Sequence, residues 1–258
     1  MKEQISWWDC LVRQQLEEGQ HEVPGHIGIV AVSAEGAALC YRTICLEGAR
    51  VLGRHAHPEV SMHTYPLAEY MRPIEAGRWP EVGSMLLSSA EKLRQVGAEL
   101  LVCPDNTVHQ GLDLVRDRSP LPWVHIAEAV ADAAVASGFR RLLILGTRYL
   151  MEGPVYPGKL GPRGIESDIP SAGKRALIDR FIFDELVYGQ LKDSTRAIFA
   201  ETIAEGQRRG RDAVVLGCTE IPLLIRQEDS ALPILDSTRI LARAALREAV
   251  HGNGSDGA

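Results

Sequence analysis

The chain has 258 residues, of which 45% are hydrophobic and 24% charged, so it is long enough to bury a large core. Its 28 Lys and Arg residues against 34 Asp and Glu residues give a net charge of -6, and no basic run is interleaved with aromatics, which argues against nucleic acid and anionic membranes as partners. No apolar run approaches the roughly 20 residues of a membrane span, and residues 1–9 lack the apolar region of a secretory signal, so we expect a cytoplasmic protein.

Short apolar runs alternate with amphipathic stretches along the chain, beginning with an appended helix predicted within residues 1–23 and a first helix around Tyr41. The predicted strands are 27–32, 60–65, 99–103, 141–146, 213–218 and 232–235. The other predicted helices are 82–96, 123–137, 176–191, 194–209 and 237–250, followed by a disordered tail at 251–258. This alternation is typical of an α/β fold with parallel sheets, in which ligands bind beyond the carboxyl ends of the strands.

Two segments repeat within the chain. Residues 97–107 overlay residues 210–220 at an offset of 113 without a gap, so that glycine meets glycine, acid meets acid and Asp105 meets Cys218. A second match, at an offset of 114, places residues 29–33 on 143–147. Buried strands resemble one another by chance, but two nearly equal offsets favour an internal duplication.

A duplication predicts two similar lobes that face each other. We expect residues 24–120 together with about 223–250 to form one lobe, and residues 121–222 to form the other. Asp105 and Cys218 would then approach one central cleft from opposite sides.

A carboxylate and a thiol on opposite faces of a carbon atom can invert it, because one removes the α-proton and the other returns a proton to the far face. Burial should raise the pKa of Asp105, and the helix start after Cys218 should lower the pKa of its thiol. The same residues also have a structural interpretation. Asp105 can cap a helix and Cys218 can be a small residue at a tight turn, and by composition alone that use is commoner.

Five segments of this chain resemble the PLP-independent aspartate/glutamate racemase superfamily, most of all its broad-specificity amino-acid racemase branch. They are Asn106-Thr107-x-His109, residues 145–149, Tyr156-x-Gly158-Lys159-Leu160, residues 183–190 and Gly217-Cys218-Thr219-Glu220-Ile221. The resemblance covers about residues 26–248. It implies two pseudo-symmetric α/β lobes with the active site between them, a homodimer, no cofactor, and catalysis by two facing side chains that are usually both cysteines.

The chain departs from this pattern where the first cysteine is expected. Asp105 precedes Asn-Thr here, and Cys103 lies two residues earlier, so we predict Asp105 as the acid/base group. The first loop keeps Ser33 but loses two hydroxyls. Relatives specific for aspartate hold its distal carboxylate with an Arg and a Lys, where this chain has Leu67 and Val187, so aspartate is not the expected substrate.

The predicted site follows from the motifs and their departures. Asp105 and Cys218 are its catalytic residues, and His109 and Glu220 are placed to tune them. Substrate contacts are expected from Ser33, His63, Asn106, Thr107, Thr147, Tyr149 and Thr219. His55 and His57 lack an evident third ligand, so no metal site is predicted.

Three functions remain open on the sequence. The first is a cofactor-independent amino-acid racemase or epimerase that inverts the α-carbon with an Asp/Cys pair and acts on a substrate other than aspartate. The second is a decarboxylase of a small dicarboxylic acid, similar to arylmalonate decarboxylase, whose members keep only the second cysteine. The third is a protein that binds a small carboxylic acid without turning it over.

Overall fold

A computed structural model describes residues 23–252 of the chain. The helix predicted within residues 1–23 therefore falls almost wholly outside the described residues, as does the end of the predicted tail. His251, which was assigned to that tail, is the last residue of the final helix, and Gly252 follows it as the C-cap.

The first sheet is four-stranded and parallel, with the strand order β2-β1-β3-β4. Its strands are β1 (Ile27–Ala31), β2 (Val60–Thr64), β3 (Leu100–Val102) and β4 (Trp123–Val124). The helices between them are α1 (Ala34–Leu52), α2 (Leu67–Glu75), α3 (Trp79–Gln95) and α4 (His109–Leu112), with a 3-10 turn at Arg116–Arg118. Every residue of β1 and β3 is buried, as expected for strands covered by helices on both faces.

The second sheet repeats this order as β6-β5-β7-β8. Its strands are β5 (Arg141–Leu145), β6 (Glu166–Asp168), β7 (Ala213–Leu216) and β8 (Ile234–Asp236). The remaining helices are α5 (Ile126–Ala136), α6 (Arg148–Met151), α7 (Val155–Leu160), α8 (Ala172–Asp184), α9 (Asp193–Arg208), α10 (Ile221–Leu224) and α11 (Ser237–His251), with 3-10 turns at Gly161–Arg163, Leu186–Tyr188 and Gln227–Asp229. The predicted α/β fold of two parallel sheets flanked by helices is confirmed.

The sheets differ from the predicted division of the chain at residues 121 and 223. β4 pairs with β3, so the first sheet continues to Val124, and β8 pairs with β7, so that strand belongs to the second sheet. The helices that follow these two strands cross over. α5 packs on the core of the second sheet, whereas α11 packs against α1, where Arg243 forms a bidentate ion pair with Glu47. Through these two crossings, each lobe packs against a helix that follows a strand of the other lobe.

None of the helices within residues 23–252 is both long enough and apolar enough to cross a membrane.

Candidate active site

A small cavity of about 50 Å³ lies between the two sheets, beyond the carboxyl ends of their central strands. We call it the inner cavity. Asp105, which follows β3, and Cys218, which follows β7, both line it, so the structure brings the two predicted catalytic residues to one space from opposite lobes. The predicted residues in its lining are Ser33, Asp105, Thr107, Thr147, Tyr149, Cys218 and Glu220.

Two pairs of hydroxyl groups join the lobes beside this cavity. The Ser33 and Thr219 hydroxyls lie 3.2 Å apart, and those of Thr107 and Thr147 lie 3.0 Å apart. Ser33 and Thr147 follow equivalent strands, β1 and β5, and each caps the next helix by accepting a backbone N–H. The internal repeat therefore appears in the site as two similar contacts, which hold the strand ends face to face.

Asp105 is held by hydrogen bonds to its backbone and its side chain. Its Oδ1 accepts the Val108 N–H at 3.2 Å, and its carbonyl oxygen accepts from His109 Nδ1 at 2.7 Å. Because the Ile126 N–H donates to His109 Nε2 at 3.3 Å, the proton of the neutral ring is on Nδ1. Burial and the neighbouring His125 keep the pKa of His109 well below its ordinary value. His109 thus positions the backbone of Asp105 and does not touch its carboxylate.

Burial raises the pKa of Asp105 from 3.8 to about 6, since an ionised carboxylate loses water there. The backbone N–H of Val108 opposes this rise, and the nearby Glu220 carboxylate adds to it. At neutral pH the side chain is therefore mainly ionised, and it is a stronger base than an exposed aspartate.

The side chain of Cys218, in contrast to that of Asp105, remains protonated at neutral pH. Its thiol donates to Glu220 Oε2 at 2.9 Å, and the Thr219 hydroxyl donates to the same oxygen at 2.9 Å. Burial, the charge of Glu220 and this hydrogen bond raise the pKa of the thiol well above its ordinary value. The sequence-based expectation of a lowered pKa is wrong, because α10 starts only at Ile221 and the buried carboxylate is closer. The resting pair is a carboxylate and a thiol, that is, one base and one acid.

Two predicted substrate contacts lie behind the cavity wall. The Asn106 amide donates to Ser237 Oγ at 3.0 Å, and its Oδ1 accepts the Tyr156 hydroxyl at 2.8 Å. The hydroxyl of Thr219 is occupied by its contacts with Ser33 and Glu220. Both residues support the site without lining the inner cavity. Sequence reasoning missed these roles of Tyr156 and Ser237. Tyr156 stands in one of the family-like segments, whereas Ser237 gave no signal beyond the start of a helix.

His63 is not at the site. Its Nδ1 lies 2.9 Å from Ser89 Oγ, and Lys92 Nζ lies 3.0 Å from its Nε2, so the ring faces α3. Alternate residues of a strand point to opposite faces, and here Met62 and Thr64 take the cleft side of β2. The prediction that His63 contacts the substrate is therefore wrong, because the register of β2 directs its ring towards α3. Cys103 is likewise fully buried in the core and absent from the cavity lining.

A second, wider cavity of about 840 Å³ adjoins the first, and we call it the vestibule. Tyr41, Met62 and Tyr65 line it. Five residues line both cavities, and we call them the neck: Val32, Ser33, Leu67, Val187 and Glu220. Within residues 23–252, neither lining contains a lysine or an arginine.

Known proteins resemble this chain in sequence and in structure. The family model for Asp/Glu/hydantoin racemases matches residues 29–245. A broad-specificity amino-acid racemase of Bacillus subtilis is 22% identical over 191 residues, which cover 74% of this chain and 81% of that protein. The crystal structure of a candidate Asp/Glu racemase from Yersinia pestis superposes with a TM-score of 0.81 at 30% identity, covering 88% of this chain and 100% of that one. An aspartate racemase homologue from Pyrococcus horikoshii gives a TM-score of 0.75 at 29% identity, with 87% and 98% covered.

Proposed function

The chain belongs to the Asp/Glu/hydantoin racemase family, in agreement with the resemblance found in its sequence, and we propose that it is a cofactor-independent amino-acid racemase in which Asp105 and Cys218 transfer the α-proton. One observation carries this proposal. The two side chains line the same inner cavity from opposite lobes, and at neutral pH one is a base and the other an acid. Two-base inversion of a carbon atom needs such a pair.

In the first direction, the Asp105 carboxylate removes the α-proton from one face. The electron pair of the C–H bond moves onto the substrate carboxylate as an enolate-like charge, and the Cys218 thiol then donates its proton to the other face. The products are the opposite enantiomer, a protonated Asp105 and a Cys218 thiolate. The hydroxyls of Ser33, Thr107 and Thr147 line the cavity and are suited to meet the developing charge.

The reverse direction starts from the protonated Asp105 and the thiolate. That thiolate lies beside Glu220, whose negative charge destabilises it. The two directions should therefore differ in pH profile, while the equilibrium constant between the free enantiomers stays at one.

The charges of the site disfavour a decarboxylase of dicarboxylic acids. Such a substrate brings two carboxylates to a cavity that already holds Asp105 and Glu220, and the linings within residues 23–252 offer neither lysine nor arginine. A buried carboxylate without a partner is costly.

Hydrogen–deuterium exchange at the α-carbon tests the proposal. In heavy water, the enzyme should incorporate deuterium with inversion into at least one amino acid of a broad panel. Asp105→Asn and Cys218→Ser should each reduce racemisation by about 10²–10⁴-fold, as removal of a general acid or base does. Asp117→Asn, at an exposed carboxylate, and Cys45→Ser, at a thiol that lines neither cavity, are the matched controls and should racemise normally.

The proposal fails if no amino acid exchanges its α-proton. Release of carbon dioxide from substituted malonates would then identify a decarboxylase, and ligand affinity without turnover would identify a binding protein. Membership of the family also leads us to propose a homodimer, which sedimentation velocity would detect as twice the chain mass.

A further inference from the structure

The inner cavity is the smaller of the two. At roughly 10–15 Å³ for each water-sized group, its 50 Å³ hold about four such groups, fewer than the non-hydrogen atoms of a bulky amino acid. With the α-carbon between Asp105 and Cys218, the side chain has to leave the inner cavity. The residues of the neck line both cavities, and the vestibule beside them has a volume of about 840 Å³, which exceeds that of any amino-acid side chain.

Each lobe contributes an apolar side chain to the neck. Leu67, the first residue of α2, comes from one lobe, and Val187, in the turn Leu186–Tyr188, comes from the other. Each is half-buried and packs against the core of its own lobe, so the walls of the neck are supported from behind. A side chain passing between them gains from apolar contact and finds no cation there.

The vestibule also presents apolar surface. Tyr41 and Met62 line it and are each 45% exposed, which leaves apolar surface for a ligand to cover. The charged groups in its lining, among the described residues, are the carboxylates of Glu35 and Glu220. The ammonium of Lys92 lies outside this lining but close to it, since its Nζ donates to the hydroxyl of the vestibule residue Tyr65 at 2.8 Å and lies 3.0 Å from His63 Nε2.

We propose that the substrate is an α-amino acid with a bulky, uncharged apolar side chain, which passes between Leu67 and Val187 and packs against Tyr41 and Met62. This inference rests on the proposed racemase function and adds its substrate class. An acidic side chain would meet Glu220 without a cation, and a methyl group would leave the vestibule filled with water.

The test compares kcat/KM for α-proton exchange in heavy water across leucine, methionine, phenylalanine, alanine, aspartate, glutamate and lysine. The best of the three bulky apolar substrates should exceed aspartate and glutamate by at least about 100-fold and alanine by at least about tenfold. The substrate class is overturned if aspartate, glutamate, lysine or alanine exchanges fastest, although racemase function would then stand. Absence of exchange with every amino acid would refute racemase function itself.

Substitution of a cationic residue into the neck tests whether Leu67 and Val187 contact the substrate side chain. Leu67→Arg and, from the other lobe, Val187→Lys should each shift the ratio of leucine to glutamate exchange towards glutamate by at least about tenfold. Because the ratio is measured on one enzyme sample, it does not depend on how much of a variant folds. Leu114→Arg makes the same change at a residue that is 56% exposed and outside both cavities, and it should leave the ratio unchanged. An unchanged ratio in both neck variants would overturn the assignment.

Discussion

Replacement of Asp105 by asparagine should make the protein more stable at neutral pH while removing its proposed activity. The pKa of Asp105 rises from 3.8 to about 6 on burial, and at about 1.4 kcal/mol for each pKa unit the ionised form costs the folded state about 3 kcal/mol. Asparagine keeps the Oδ1 that accepts the Val108 N–H at 3.2 Å, so the cap survives the change. We expect the free energy of unfolding at pH 7 to increase by up to about 3 kcal/mol.

The sign of the pH dependence follows from the direction of the shift. Because the folded state binds the Asp105 proton more tightly than the unfolded state does, the cost is complete above about pH 6 and disappears as the pH falls towards 3.8. The stability difference between Asp105→Asn and the unchanged protein should be largest at pH 7–8 and close to zero near pH 4.

Urea unfolding followed by circular dichroism between pH 4 and pH 8 measures this difference. Asp113→Asn is a control of opposite sign. Partial burial raises the pKa of Asp113, but the neighbouring His125 ring and the ion pair with Lys159, whose Nζ lies 2.9 Å from its Oδ1, outweigh burial and bring the pKa below its ordinary value. That variant should be less stable at neutral pH, where the ion pair with Lys159 is lost. The reasoning is refuted if Asp105→Asn is no more stable than the unchanged protein at pH 7, or if its gain is independent of pH.

Three further changes probe the surroundings of the site. Gly36→Ala would place a methyl group 2.6 Å from a backbone carbonyl oxygen beyond β3, so the free energy of unfolding should fall by about 1–3 kcal/mol; urea unfolding like that of the unchanged protein would contradict this. Tyr156→Phe leaves the buried Asn106 oxygen without its donor at 2.8 Å and should cost about 1–3 kcal/mol in the same assay, whereas no loss would show that the bond is dispensable. Glu220→Gln removes a negative charge beside the Cys218 thiol, so the pKa of that thiol should fall; the pH dependence of alkylation by iodoacetamide measures it, and an unchanged or higher pKa would contradict the argument.

The missed elements are those with weak local patterns. β4 has two residues and β6 has three, and strands this short show no apolar alternation. The two residues of β4 lie within the helix predicted at 123–137. α2 contains Pro73, which normally argues against a helix. The predicted helix at 176–191 stops at Asp184, where a 3-10 turn leads to Gly189 in the left-handed conformation. In α2, the packing of Tyr70 and Ile74 into the core of the first lobe outweighs the local preference against a helix.

The α/β alternation, the duplication and the correspondence of Asp105 with Cys218 could be predicted, because strand periodicity and strand ends are local features of consecutive residues. The environment of each side chain, in contrast, depends on how distant segments pack together. The pKa of the Cys218 thiol is raised because the thiol is buried beside the Glu220 carboxylate, and burial is a property of the whole fold. Asn106 supports the site because Tyr156, 50 residues away in sequence, donates a hydrogen bond to it. Such long-range contacts leave no periodic trace in the chain, so the residues of the site could be predicted more readily than their protonation and partners.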